Sequence, residues 1–529
     1  MSKPAELPEL GGRQKGMARP LRLGDDLDER ALADLADDID ELQYLAGSQL
    51  QRLRTARLEI ERTQSGFRPR TLRTELAQLR SAENTFRDYE QVLGTCLHDI
   101  LRGVGGVERL RAVKNEYADL LRLQQGISSA LIAGSDWQSP AFDGAGYPTA
   151  GRHAGVITEH HDDYKRDRHP GAQSFEQNYL REYVDAPTGL GVRALATACG
   201  MAAFTTILHF LCSVLDKKKP VIATRGMYHE CRGLLVESPL GPRIHWVEDD
   251  DTAEIKTACR RLEPAAVFWD SMCNSKGLAV PDSRRLLLDL AESSRSDIYV
   301  VVDNTCAPVF SQPFPVAAWN RHVRVLMFES LTKYAQFGFD RVAAGMVVAP
   351  GPETDELDRL REHLGTNVAD VCVAAVPQPN RALLTRRLRR IERNAGLLSQ
   401  HIAQSAERYR APVRVVYPGL PSHECHAAAR RLGFYGGFFA LDLLHEDPSP
   451  VAQGRLVSGL IQSARRHNVN LVTGASFGLN VTRVYRTATE IGLGPFVRIA
   501  AGTEDRMEIE DLKEVFTDVV RQLSARGHG

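Results

Sequence analysis

Two adjoining stretches, IYVVVDNT (298–305) and VRVLMFESLTKY (323–334), decide how the chain folds. Each opens on a run of β-branched and large apolar residues, and IYVVV shows no polar alternation at all. Such a run predicts a strand buried on both faces, the habit of parallel sheets covered by helices. Both runs then end in polar residues: Asp303 closes the first, and Ser330, Thr332 and Lys333 follow the second. In open α/β sheets ligands lie beyond the carboxyl ends of the strands, so these are the residues on which chemistry is expected.

Working outward, PVIAT (220–224), AAVFWD (265–270) and AAGMVVAP (343–350) are runs of the same kind, and SRRLLLDLAESS (283–294) can hold a crossover helix. The pattern predicts a mainly parallel α/β domain over 179–400, with Asp270 and Asn274 at another strand end. After it, GGFFALDLL (436–444), VNLVTGAS (469–476), FVRIAAG (496–502) and a terminal helical pattern over 508–523 predict a smaller α+β domain, 401–529. Before it, residues 134–178 carry Gly, Pro and His without a period and read as an irregular arm. Residues 1–133 read as a helical extension. Leu32, Leu35, Ile39 and Leu42 step by three and four, as do Leu72, Leu76 and Leu79, then Phe86, Tyr89, Leu93 and Leu97, with breaks at GFRPR (66–70) and GVGG (103–106).

The 529 residues are enough for two or three domains, and 43% apolar with 25% charged residues is the balance of a core-forming protein. Sixty-six basic against 67 acidic side chains leave a formal charge of -1, which gives no global attraction to nucleic acid or to an anionic membrane. Nine cysteines stand singly, a pattern of reduced thiols rather than of a disulfide or zinc framework. The opening MSKPAELPELGGRQKG lacks an apolar signal core and no run of about 18 apolar residues occurs, so a cytoplasmic address is expected. His160, His161, Asp162 and Asp163 are adjacent, a poor arrangement for one ion, and no metal is assigned to them.

A carboxylate and a lysine at neighbouring strand ends, the lysine flanked by hydroxyls, have a specific use. Pyridoxal 5'-phosphate needs a lysine for its Schiff base, a carboxylate to keep its ring nitrogen protonated, and small donors around its phosphate. The spacing of DNT and SLTKY, with Asp303 and Lys333 30 positions apart, resembles the cystathionine γ-synthase family of fold-type I pyridoxal phosphate enzymes. That resemblance implies that Lys333 holds the cofactor and acts as the base, Asp303 pairs with the ring nitrogen, and Ser330 and Thr332 contact the phosphate. ACGMAA is similar to the family's phosphate turn, which implies the backbone N–H groups of Gly200 and Met201. By the same resemblance Tyr228 stacks on the ring and assists proton movement, and Asn274 bonds the phenolic oxygen. Tyr179 and Arg181 fit a Tyr-x-Arg that reaches the phosphate of a neighbouring subunit, implying a homodimer or homotetramer with shared sites. Ser476 and Arg498 match the positions that hold the substrate α-carboxylate.

The family's chemistry is elimination or replacement at Cγ of an amino acid. Activated homoserine and S-adenosylmethionine are candidate substrates, in a specialised biosynthetic role with a second small molecule. An aminotransferase and a non-catalytic cofactor-binding regulator are the alternatives. His-Glu-Cys (229–231) after Tyr228, DSMCNS (270–275) and QFGF (336–339) depart from the family pattern around the pocket. Glu230 and Cys231 receive no catalytic role from the sequence, and His229 reads as an ordinary polar residue.

Overall fold

The computed structural model describes residues 26–63, 69–135, 170–187, 189–248, 252–444, 450–487 and 496–526. Its large sheet holds β1 (Arg193–Thr197), β2 (Val221–Thr224), β3 (Ile244–Val247), β4 (Ala266–Asp270), β5 (Ile298–Asp303), β6 (Val323–Ser330) and β7 (Gly345–Ala349) in the order β1-β7-β6-β5-β4-β2-β3. From β3 to β6 every pairing is parallel, and β7 runs antiparallel to both β6 and β1. The apolar run of β5 explains its central place: Val300 and Val302 join one buried cluster and Val301 the other, on opposite faces. Register then sets Asp270 level with Asp303 and Asp303 level with Phe328, which brings the carboxyl ends of three strands to one edge.

A second sheet, in the order β10-β11-β12-β9-β8, comprises β8 (Val413–Val416), β9 (Phe438–Leu443), β10 (Val472–Thr473), β11 (Arg483–Arg486) and β12 (Val497–Ala500). Only β10 and β11 pair in parallel. The C-terminal helix Arg506–Arg526 packs on the helix Arg381–Tyr409, which links the two sheets.

The extension is helical as expected: α1 (Leu27–Thr63), α2 (Pro69–Leu101) and α3 (Val107–Ser135) pack on one another. Leu35, Ile39, Leu42, Leu79, Phe86 and Leu93 from the three stripes are buried, each such side chain contributing about 1.5–3 kcal/mol. The polar side of α1 is held too. Asp34 binds Arg390 and Arg393, and Glu41 binds Arg387, all on the helix Arg381–Tyr409.

Four strands lie outside the predicted runs. β1 (RALAT) is alanine-rich, β3 is a half-buried edge, and β8 and β11 carry charged residues, so none shows the unbroken apolar signal. Three predicted boundaries fall inside helices, the first being the 133/134 division, which cuts the end of α3 (Val107–Ser135). The arm's last residues, 170–178, belong to α4 (Pro170–Tyr183), and the 400/401 division cuts the 29-residue helix Arg381–Tyr409. The His160–Asp163 run and the N-terminal stretch lie outside the described residues. Among the described residues no helix is long and apolar enough to cross a membrane.

Candidate active site

The site begins at the three level strand ends. Asp303 is buried at the end of β5, and its Oδ1 accepts the Thr305 backbone N–H at 2.9 Å. Burial pushes this carboxyl up to about 6, while the Thr305 hydroxyl and N–H pull it back. The Thr305 Oγ1 also accepts from the Ser330 backbone N–H at 2.9 Å, and the Ser330 and Thr332 hydroxyls bond each other at 2.8 Å. DNT and SLT are thus one connected structure.

At the end of β4, Asp270 accepts the Tyr228 backbone N–H at 3.0 Å. Tyr228 caps α6 (His229–Glu237), and its ring stays 37% exposed, edge-on to His229. Burial and the adjoining Glu230 carboxylate raise its phenol above the ordinary value. His229 Nδ1 and Glu230 Oε2 lie 2.9 Å apart at the rim.

Helix α5 (Gly200–Val214) starts directly against Ser330. A Cβ at Gly200 would lie 2.7 Å from that of Ser330, so only glycine permits the approach. The first-turn N–H groups of Gly200 and Met201 have no partner within the helix by geometry, and together with the Ser330 and Thr332 hydroxyls they form a place suited to phosphate.

Lys333 sits just past β6, at the entry to the turn Tyr334–Gln336. Its Nζ donates to Ser476 Oγ at 3.3 Å, and burial lowers its pKa. Arg498, on β12 and 3% exposed, donates from Nη1 to Asn274 Oδ1 at 2.8 Å and from Nη2 to the Ala475 carbonyl. Its Nε is buried without a hydrogen-bond partner, and Phe438, Phe477 and Tyr485 surround the guanidinium. A buried guanidinium with an orphaned donor suits an incoming carboxylate. The Gly200 cradle, the buried Asp303 and Lys333 suit pyridoxal phosphate.

One expectation is corrected. Tyr179 is not presented to a neighbouring subunit: it is 1% exposed and donates to Glu329 Oε2 of its own chain at 2.5 Å, packed edge-on to Tyr183. Glu329 escaped the sequence reading. It is buried one residue before Ser330, and burial drives its carboxyl up to about 8. Its signal is an acidic residue inside an apolar strand. Arg181, in contrast, is exposed beside Glu182. Cys231 is buried with Sγ 3.6 Å from Met201 Sδ, and its thiol is pushed well up, an environment of packing rather than reactivity. Cys306, also missed, is buried near Asp303, Lys333 and Arg498.

A mainly parallel sheet presenting a buried aspartate, a lysine and a helix N-terminus at one edge defines a fold-type I pyridoxal phosphate enzyme. Residues 137–517 match the model of the Cys/Met metabolism PLP-dependent enzymes, and the chain belongs to that family. The extension, α1 to α3, lies outside the match. Among curated relatives, the bifunctional enzyme flvA of Aspergillus flavus is 26% identical over 356 residues, 66% of this chain but 41% of flvA, so the chain spans less than half of that relative. The O-succinylhomoserine sulfhydrylase of Pseudomonas aeruginosa is 26% identical over 372 residues, 68% of this chain and 83% of the relative. The fold is that of metB from Corynebacterium glutamicum (TM-score 0.56, 19% identity, 72% of this chain and 92% of that one). It is equally that of cystathionine gamma synthase from Xanthomonas oryzae pv. oryzae (TM-score 0.55, 19% identity, 75% and 99%).

Proposed function

We propose that this enzyme eliminates or replaces a substituent at Cγ of an amino acid, with an activated homoserine or S-adenosylmethionine as substrate. The observation that carries the reading is the convergence of Lys333, Ser476, Asn274 and Arg498, drawn from both sheets, on one point. In this reading Arg498 and Ser476 bind the α-carboxylate, the guanidinium through a two-pronged ion pair that satisfies Nε. Bound pyridoxal phosphate supplies the electron sink that makes Cα and then Cβ acidic. Asp303 keeps the ring nitrogen protonated. Lys333, its ammonium pKa already lowered by burial, would take the Cα proton and then the Cβ proton. Gly200, Met201, Ser330 and Thr332 hold the phosphate, Asn274 the phenolic oxygen, and Tyr228 moves protons near the leaving group.

The active unit is a homodimer or homotetramer in which Arg181 reaches a neighbour's phosphate. The experiment for the reaction is incubation of holoenzyme with O-acylated homoserines and S-adenosylmethionine, with products identified by mass spectrometry. Loss of the Cγ substituent supports the reading. A keto acid as the product, with the Cγ substituent intact, overturns it.

A further inference from the structure

Between the extension and the C-terminal domain lies a second cavity of about 220 Å³, whose lining includes none of Asp303, Lys333, Ser476 and Arg498. Its walls are α1, α3, the helix Arg381–Tyr409, the C-terminal helix Arg506–Arg526, and the segments around Val469, Asn480 and Glu504. Five carboxylates and three cations line it, an excess of acid. All three cations are paired: Arg387 with Glu41 at 2.6 Å, Lys114 with Asp38 Oδ2 at 3.4 Å and Glu508 at 3.9 Å, and Arg111 with Asp505 at 2.7 Å and Glu508 at 3.7 Å. One acceptor remains. Glu504 is 6% exposed and gives Oε1 to the Thr482 backbone N–H, but its Oε2 has no hydrogen-bond partner, while Asp38 makes only long ion pairs, to Lys114 at 3.4 Å and to Arg390 at 3.7 Å. Buried acceptors without donors are costly, and an occupant that brings N–H donors and positive charge removes that cost.

The cavity is also joined to the catalytic lysine. Arg387 donates from Nη2 to the Gly478 carbonyl at 3.1 Å and to Asn480 Oδ1 at 2.6 Å, and Gly478 is two residues from Ser476, the hydrogen-bond partner of Lys333. Gly338, five residues after Lys333 with φ +85°, lies against the same pair; a Cβ there would lie 2.6 Å from Arg387 Nη2. A change at Arg387 is therefore felt on both segments that carry the lysine and its partner.

We propose that this cavity is a regulatory site for a small ammonium-bearing metabolite of amino-acid size, whose occupancy acts on Lys333 through Arg387, Gly338 and the Ser476–Asn480 segment. The ammonium pairs with Glu504 Oε2, Asp38 adds a second carboxylate to the same lining, and asparagine amides such as Asn480 and Asn115 meet the polar remainder. Burial raises both Glu41 and Glu504 to about 7, so a cation there also restores their ionisation. The coupling, unlike the binding, rests on Lys333 being the catalytic lysine.

The test is calorimetry on full-length holoenzyme with L-ornithine, with triethanolamine, which cannot condense with an aldehyde, and with malonate as the anionic control. Saturable binding of a cationic probe at one per chain, weakened at least tenfold in both Glu504→Gln and Asp38→Asn, supports the site. Basal turnover of these variants should be unchanged. Absence of binding by both cationic probes, binding undiminished in the two variants, or equal binding of malonate overturns it. In wild type the bound probe should shift the visible absorption of the cofactor or the kcat and KM of turnover. Binding without either change overturns the coupling while leaving the reaction itself untouched.

Discussion

The Nζ of Lys333, just beyond β6 of the large sheet, donates to the Oγ of Ser476, just beyond β10 of the small sheet, at 3.3 Å. This contact closes the site between two independently ordered sheets. It also makes the lysine sensitive to the placement of the small domain. Replacing Lys333 by alanine should leave a folded chain that has lost the visible absorption of the lysine-bound cofactor and all measurable turnover. A borohydride-reducible bond retained on another lysine would refute the assignment.

The approach of α5 to Ser330 leaves no room for a methyl group. Gly200→Ala should cost about 1–3 kcal/mol of stability, the scale of overpacking, and should weaken cofactor retention because the first-turn N–H groups are displaced. Equilibrium dialysis of pyridoxal phosphate and chemical denaturation measure the two effects. A variant with unchanged stability and affinity would show that α5 can shift away freely.

Glu329 titrates at about 8 in the folded chain against an ordinary value of 4.5. Between these values the folded chain keeps a proton that the unfolded chain has released, so this group's contribution to stability falls as pH rises through that window. Glutamine can still accept from Tyr179 and does not ionise. The melting temperature of Glu329→Gln relative to wild type should therefore be more favourable near about pH 8.5 than near about pH 5. A difference independent of pH would contradict the burial account.

Asp34 on α1 takes both Arg393 Nη atoms at 2.8 Å each and Arg390 Nε at 3.0 Å. Asp34→Ala removes the nearest carboxylate of the buried Arg390 guanidinium, which keeps Asp37 at 3.4 Å and Asp38 at 3.7 Å, and should destabilise the chain by about 1.5–3 kcal/mol, read by urea denaturation. A loss under about 0.5 kcal/mol would mean that the Asp34 ion pairs contribute little to holding the extension.

The sequence showed strands where both faces are buried. IYVVV, VRVLMF and AAVFWD declare themselves because every residue pays the same solvation penalty outside the core. RALAT and RVYR do not, since their strand state comes from neighbours in the sheet rather than from their own composition. Most of the site lay in local motifs ending those strands. Tyr179 was misread because Tyr-x-Arg says nothing of which partner is in reach, and Glu329 captures its hydroxyl 150 positions away. The partners of Asp34 and Glu41 on the helix Arg381–Tyr409 stand some 350 positions later, beyond any local pattern.

The central claim is chemistry at Cγ, and proton exchange tests it most directly. Holoenzyme incubated in deuterated water with an O-acylated homoserine or S-adenosylmethionine should wash deuterium into both Cα and Cβ, seen by NMR, as the Cγ substituent leaves. Exchange at Cα alone, with the cofactor converted to its amine form and the Cγ substituent retained across these substrates, would contradict the account and identify an aminotransferase.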